Sequence, residues 1–426
     1  MVIEDLMGVV GKHCGSKNRF FFRYLATYPS FYFLNPSTLP SCRQALNRSA
    51  YLRRMKIGIL GGGQLGRMLL QAAANYPIET FVMENEADCP AAHLCHHFTK
   101  GDIRNYEDVY RFGQQVDALT IEIENVNVEA LEKLETEGKK IFPRPSVLRT
   151  IKDKILQKNY YASFQIPTSE FVVTENHHAV QALAHMLPMV QKMATGGYDG
   201  KGVQVIKEAD QLKQAWDQPS VIEKMVNIRK EIAQMVAINE KGETAIYPPV
   251  EMIFDPYLNL LDYQLCPAEL DQKTRWKAEA IALTVVKNFN SPGIFAIEMF
   301  VDDEGDVLVN ETAPRVHNSG HHTIEAHYSS QFDMLWRVIL GYPLGNTNAI
   351  MPSVMVNIIG AENYEGIARY EGLDEVLRID NAFVHIYGKK KTKPGRKMGH
   401  VTILARDRQE LSFQSHKVKQ LLRVIA

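Results

Sequence analysis

The sequence predicts an α/β fold, α+β overall, with a doubly wound parallel-sheet domain first, a larger central domain second and a small β-rich domain last. Three observations predict it. Short apolar runs alternate with helical stretches over about 55–148; a glycine-dense loop at 195–202 lies among short strands; and two pairs of alternating runs, 294–301 with 306–311 and 382–389 with 400–405, read as hairpins. The expected domains are 55–148, 149–358 and 359–426, preceded by a basic extension over 1–54 expected to be poorly ordered.

At 426 residues, 45% hydrophobic and 23% charged, the chain can bury a large core, which excludes a disordered or fibrous protein. A net charge of −1 gives no global attraction to nucleic acid or membrane, so phosphate binding must come from local sites. Five cysteines (Cys14, Cys42, Cys89, Cys95, Cys266) form no CxxC pair and leave one unmatched, which argues against a disulfide scaffold or zinc cluster and for a reducing cytoplasm. The first 54 residues hold eight Lys/Arg against two acids, and the remainder holds 40 against 47. Arg23 and Pro29 interrupt its apolar stretch, which is too short to span a bilayer; an upstream segment with no role in the fold is the expectation, with targeting as the alternative.

From Met55 the elements follow in order. Lys56-Ile57-Gly58-Ile59-Leu60 runs into the turn Gly61-Gly62-Gly63-Gln64-Leu65-Gly66 and a helix, and later strands end at Glu84 and at Glu122-Ile123-Glu124. The turn matches GxGxxG with Glu84 about twenty residues on, as a dinucleotide site would. The same glycines serve any tight crossing whose helix N-terminus receives a phosphate, so NAD, a substrate phosphate and a purely structural turn all stay open. After Pro143 and Pro145 comes an amphipathic helix holding Lys152, Asp153, Lys154 and Lys158.

A strand over 188–192 then leads into Thr195-Gly196-Gly197-Tyr198-Asp199-Gly200-Lys201-Gly202. Its glycines permit positive φ and closure over a nucleotide, and Lys192 at the strand end can neutralise phosphate oxygens or be a solvated edge lysine. GxxxxGK[ST] spacing is absent, so this is no Walker loop. Glu223, on a short strand, and Glu231 could accept from an adenine amine and ribose hydroxyls, or could be surface carboxylates. Folding the 294–311 hairpin sets Glu298 opposite Asn310 or Glu311, with Cβ atoms about 5 Å apart. Two carboxylates and an amide among apolar residues call for a shared cation, Mg²⁺ bridging nucleotide phosphates being the natural one, unless the acids are solvated on an exposed sheet face. Lys389, Lys390, Lys391, Lys393, Arg396 and Lys397 crowd one turn, where a ribonucleotide phosphate is a better target than nucleic acid.

With these motifs in this order, together with Arg315-Val316-His317-Asn318-Ser319-Gly320-His321, residues 55–426 resemble the ATP-grasp superfamily and, within it, the 5-(carboxyamino)imidazole ribonucleotide synthetase family of purine biosynthesis. The resemblance implies ATP-dependent carboxylation of 5-aminoimidazole ribonucleotide by bicarbonate through carboxyphosphate, in a cytoplasmic homodimer using Mg²⁺. It implies an ATP site of Lys154, Lys192, Gly197, Tyr198, Asp199, Gly200, Lys201, Gly202, Val203, Glu223, Lys224, Met225, Val226, Glu231, Asn310 and Glu311, with Glu298, Asn310 and Glu311 arranging the metal. The ribonucleotide is expected at Gln64, Leu65, Glu124, Tyr198, Asp199, Arg315, His317, Asn318, Ser319, Lys389 and Arg396, with Arg315, His317 and Lys389 catalytic. One departure stands out: relatives often carry Arg where this chain has Lys154, which keeps the charge but loses bidentate hydrogen bonding. The rival expectations are another ATP-grasp ligase, such as a formate-dependent glycinamide ribonucleotide transformylase, and an NAD-binding oxidoreductase resting on the first turn alone.

Overall fold

In the computed structural model, which describes residues 54–197, 202–255 and 260–426, the first five strands are β1 (Met55–Leu60), β2 (Ile78–Glu84), β3 (His97–Lys100), β4 (Ala118–Ile121) and β5 (Lys140–Phe142). They form the expected parallel sheet in the order β3-β2-β1-β4-β5. Apolar runs such as Ile57 to Leu60 become central strands because both faces are covered. Leu60 and Ile121 pack with Phe112 and Leu134 on one face, and Ile57 and Ile59 with Leu69 and Trp336 on the other. The order reverses between β1 and β4, where open sheets of this kind receive ligands. The short edge strands β3 and β5 were not foreseen, since three or four residues carry little periodicity.

The single helix expected after Pro145 is two. Pro145–Lys152 ends at Asp153, whose carboxylate accepts from Ile155 N (2.8 Å) and Leu156 N (3.1 Å) and so opens a second helix, Lys154–Ser163. A four-stranded antiparallel sheet follows, made of β6 (Phe171–Thr174), β7 (Met189–Met193), β8 (Val203–Ile206) and β9 (Ser220–Lys224) in the order β6-β9-β7-β8. The glycine loop joins β7 to β8; Gly196 and Gly202 take φ of +82° and +77°, and Met193 N donates to Gly202 O at 2.9 Å.

The main sheet has nine strands: β10 (Ile228–Ile238), β11 (Thr244–Ile246), β12 (Val250–Phe254), β13 (Leu261–Cys266), β14 (Gly293–Asp302), β15 (Val307–Ala313), β16 (Ser353–Ile359), β19 (Ala382–Ile386) and β21 (Lys397–Leu404). Its order is β15-β14-β10-β12-β13-β16-β21-β19, with β11 beside β10. Short pairs complete the strands, β17 (Gly366–Ile367) with β20 (Lys391–Thr392) and β18 (Arg369–Glu371) with β22 (Arg423–Ile425). Both expected hairpins are present, β14 with β15 and β19 with β21. The second is no separate sheet: β16 links it to β13, so the C-terminal strands extend the central sheet and cover its edge. Helix Gln272–Phe289 buries Ala278, Ala282, Val285 and Val286 against Ile232, Val236, Phe295 and Ile297. Helix Gln331–Leu340 lies between the two large sheets, where Trp336 Nε1 donates to Leu69 O at 2.8 Å.

Candidate active site

The groove between the four-stranded and nine-stranded sheets gathers most of the expected nucleotide residues. Lys192, on β7, reaches Glu223 Oε1 at 2.9 Å and Asn310 Oδ1 at 2.8 Å, while Lys154, in the first turn of its helix, reaches Glu311 Oε2 at 2.9 Å. The split at Asp153 is what aims Lys154 into the groove. Of the loop, Gly202 lies against Gly197 and Met193, and Val203 pairs with Lys192; Tyr198, Asp199, Gly200 and Lys201 fall outside the described residues. Lys224 closes β9, and Met225 and Val226 follow it, with Met225 41% exposed.

The Glu223 carboxylate is nearly closed off and pairs with Lys158 (3.1 Å), Lys192 (2.9 Å) and the Ser169 hydroxyl, so it anchors two lysines, while its Oε1 makes no hydrogen bond of good geometry. Burial works against its charge, but the two ammonium groups and the hydroxyl prevail and hold it at about 2. Lys158, missed as a site residue, also donates to Thr168 Oγ1 at 2.6 Å. Burial draws it down to about 8, still cationic at neutral pH as the depressed Glu223 requires. Its signal was a lysine one helical turn after Lys154, on the same helix face.

On the main sheet Glu298 pairs with Glu311, and a bulge between Glu298 and Met299 leaves Asn310 as the extra residue. Strict alternation would turn Asn310 away from Glu311; the bulge lets both reach the groove. Glu231 pairs with Phe300 and so shares the face of Glu298. Burial, then the charges of Glu311 and Glu231, push Glu298 well above the carboxylate range, to about 8. Lys154 holds Glu311 low, at about 2, although its side chain is 45% exposed and solvent screens part of that effect. Lys397, the first residue of β21, adds a positive charge acting on Glu298; only the strand order brings it there. Two facing carboxylates with an amide, Glu298 held protonated chiefly by burial, form a set of hard oxygen donors that fits Mg²⁺ once Lys154 and Lys192 turn away from them.

The loop after β15 borders this groove. Arg315 pairs with Glu124 at 2.9 Å, joining the loop to the parallel-sheet end. His317 Nδ1 lies 2.9 Å from Ser319 Oγ, and its Nε2 lies 3.7 Å from Glu298 Oε1. Both amide atoms of Asn318 are shielded from solvent without a partner, an orphan that a bound polar group would satisfy. Leu65 packs into the core, so its backbone alone can meet a substrate, beside the half-buried Gln64. Lys389 Nζ donates to Lys397 O at 2.7 Å and Arg396 Nη1 to Lys391 O at 2.9 Å, while Lys390 pairs with Asp88 at 2.7 Å and docks this turn on the first domain.

The first turn serves no dinucleotide. Glu122 Oε1 accepts from Gly63 N at 2.7 Å and Oε2 from Gly66 N at 2.5 Å, and Glu84 Oε2 accepts from Gly62 N at 3.0 Å. A Cβ on Gly63 would come within 2.4 Å of Glu122 Oε1, so glycine is needed there for a side chain, not a pyrophosphate. The neighbouring cavity of about 250 Å³ is lined by Glu84, Asp102 and Glu122 against the single cation Arg104, a balance that disfavours a pyrophosphate.

Lysines from a helix and from the strand before a glycine loop, set against an acidic hairpin, define an ATP-grasp protein, and residues 159–332 match the family described as ATP-grasp domain. Residues 54–152 match the ribonucleotide synthetase preATP-grasp domain, and 353–414 the phosphoribosylaminoimidazole carboxylase C-terminal domain. The chain is 34% identical over 378 residues to N5-carboxyaminoimidazole ribonucleotide synthase of Aquifex aeolicus, covering 87% of this chain and 97% of the relative. It therefore belongs to the N5-carboxyaminoimidazole ribonucleotide synthase family. The chloroplastic phosphoribosylaminoimidazole carboxylase of Vigna aconitifolia is 36% identical over 362 residues, and the chain spans 64% of that longer protein. Among solved structures, N5-carboxyaminoimidazole ribonucleotide synthetase of Thermotoga maritima superposes with a TM-score of 0.82 at 38% identity, covering 87% of this chain and 99% of that one. The Aspergillus clavatus synthase, in complex with ADP and 5-aminoimidazole ribonucleotide, gives 0.79 at 31% identity, with 87% and 99% covered.

Proposed function

We propose that this chain carboxylates 5-aminoimidazole ribonucleotide with bicarbonate at the expense of ATP, giving 5-(carboxyamino)imidazole ribonucleotide, ADP and phosphate. The observation that carries this reading is the convergence of Lys154, Lys192, Asn310 and Glu311 in one groove beside the 315–319 loop. Relatives crystallised with ATP, or with ADP and the ribonucleotide, support both ligands.

Bicarbonate is a poor electrophile. An oxygen of bicarbonate attacks the γ-phosphorus, the bond to the ADP oxygen breaks, and carboxyphosphate results; the substrate amine then takes its carbon, phosphate leaves, and the amine proton goes with it. Lys154 and Lys192 rest against carboxylate and amide in the free protein and would turn to the phosphate oxygens when nucleotide enters. Glu223 and Lys158 would hold Lys192 in place. Glu298, Asn310 and Glu311 would hold Mg²⁺, which when bound neutralises charge on the triphosphate. Arg315 would bind developing negative charge on the bicarbonate side, with Asn318 satisfying its amide on the ribonucleotide. His317, between Ser319 and Glu298, would orient the carboxylating species or carry its proton. The strand end from Glu223 to Val226, with Glu231, would meet adenosine, and Lys389 with Arg396 the ribonucleotide phosphate. A cytoplasmic homodimer is part of the same proposal; no helix among the described residues is long and apolar enough to cross a membrane.

Phosphate release should reach full rate only with bicarbonate and 5-aminoimidazole ribonucleotide together. Equal release with glycinamide ribonucleotide and formate would overturn the choice of acceptor.

A further inference from the structure

We propose that Cys266, His322 and His327 form a buried binding site for a borderline-soft divalent cation of the zinc class, separate from the carboxylates of the nucleotide groove. Cys266 ends β13, and the histidines flank the helix Thr323–Ala326. One ligand atom from each lies within 4.8 Å of the other two, and the three residues are only 2%, 1% and 3% exposed. Cys266 Sγ stands 3.9 Å from His327 Nε2, and the two imidazoles meet edge to face at 5.0 Å. His322 Nε2 and His327 Nδ1 are shielded from solvent with no hydrogen-bond partner. Buried polar atoms without partners are rare, because the water they lose is not replaced. His327 turns its other nitrogen, Nε2, toward the thiol, so it is the His322 Nε2 orphan beside a thiol and a second imidazole that points to a missing ligand.

The donor set names the ligand. Sulfur and imidazole suit Zn²⁺, whereas Mg²⁺ takes oxygen, so the two metal sites would not compete. The ligand atoms would close by about 1 Å to reach zinc bond lengths of roughly 2.0–2.3 Å. Gln264 Nε2 lies 3.0 Å from His322 Nδ1 and donates to Ser319 O at 2.8 Å, while Gln264 Oε1 has no partner. Turning that amide would let Oε1 accept from Nδ1–H and free His322 Nε2 for the ion, an outer-shell arrangement that costs the bond to Ser319 O. Cys266 would release its thiol proton to solvent on binding. No CxxC pair announces this site in the sequence; the sheet and the loop assemble it from residues 61 positions apart.

Because the cluster is closed, the ion should enter during folding, and the test is made on the full chain expressed with Co²⁺ supplied in place of zinc. One cobalt per chain and a thiolate-to-cobalt charge-transfer band are expected. Cys266→Ser and His327→Gln should each lose the ion and the band while keeping wild-type circular dichroism, and Glu311→Gln should keep both. A cobalt-free wild-type chain, or a band that survives Cys266→Ser, overturns the site. If the variants misfold, X-ray absorption of the wild-type chain decides: one sulfur among the cobalt ligands supports the site, and none overturns it.

Discussion

Glu223 is ionised in a pocket that burial alone would make hostile to charge, because Lys158 and Lys192 face it from two elements. Its value near 2 lies below the ordinary 4.5, so its contribution to stability is complete above about pH 4.5 and is lost as pH falls toward 2. Glu223→Gln should therefore flatten the acid limb of stability against pH in urea titrations. Breaking the buried pairs should also cost roughly 3–5 kcal/mol at neutral pH. At the same scale, Glu311→Ala removes a donor for Mg²⁺ and the partner of Lys154, and ADP formation should fall to background in a coupled assay; normal turnover would take Glu311 out of the site.

The break between helices Pro145–Lys152 and Lys154–Ser163 does chemical work, because it rotates Lys154 from a continuing helix face into the first turn of a new one. Asp153→Ala should cost about 1 kcal/mol through the lost cap and raise the KM for ATP, whereas Asp153→Asn should retain most of both. Thermal melting and initial rates check this, and an unchanged KM would separate the cap from Lys154. The bulge in β14 and β15 is comparable: it puts Asn310 and Glu311, neighbours in sequence, on the same groove. A pattern of alternating residues contains Glu298 opposite its partner but not the bulge, since one extra unpaired residue leaves no periodic trace.

Across the whole molecule, helix Gln331–Leu340 and the Arg315–Glu124 pair tie the parallel sheet to the main sheet. Glu124→Gln should free Arg315 and raise the KM for the ribonucleotide on the order of tenfold, the scale of one charge-assisted hydrogen bond, with the KM for ATP little changed. Steady-state kinetics with each substrate varied measures the split, and an equal rise in both would point to a general loosening. Residues 54–426 form one compact unit, and the extension expected to be poorly ordered lies outside the described residues. Removing 1–54 should leave the urea midpoint and turnover intact, and a chain that no longer folds would assign the extension a structural part.

The sequence by itself determined the parallel sheet, the glycine loop between strands, both hairpins and the identity of the charged groups, because apolar periodicity and glycine placement are local properties of the chain. Tertiary structure alone decided what those groups face. Glu223 gains its two lysine partners only when β7 and helix Lys154–Ser163 close on it; the turn 61–66 could cradle a pyrophosphate until Glu122 filled it; and Cys266 was a lone thiol until His322 and His327 arrived beside it. Each of these turns on distances between residues far apart in the chain, where Coulomb and desolvation energies are set by neighbours in space rather than in order.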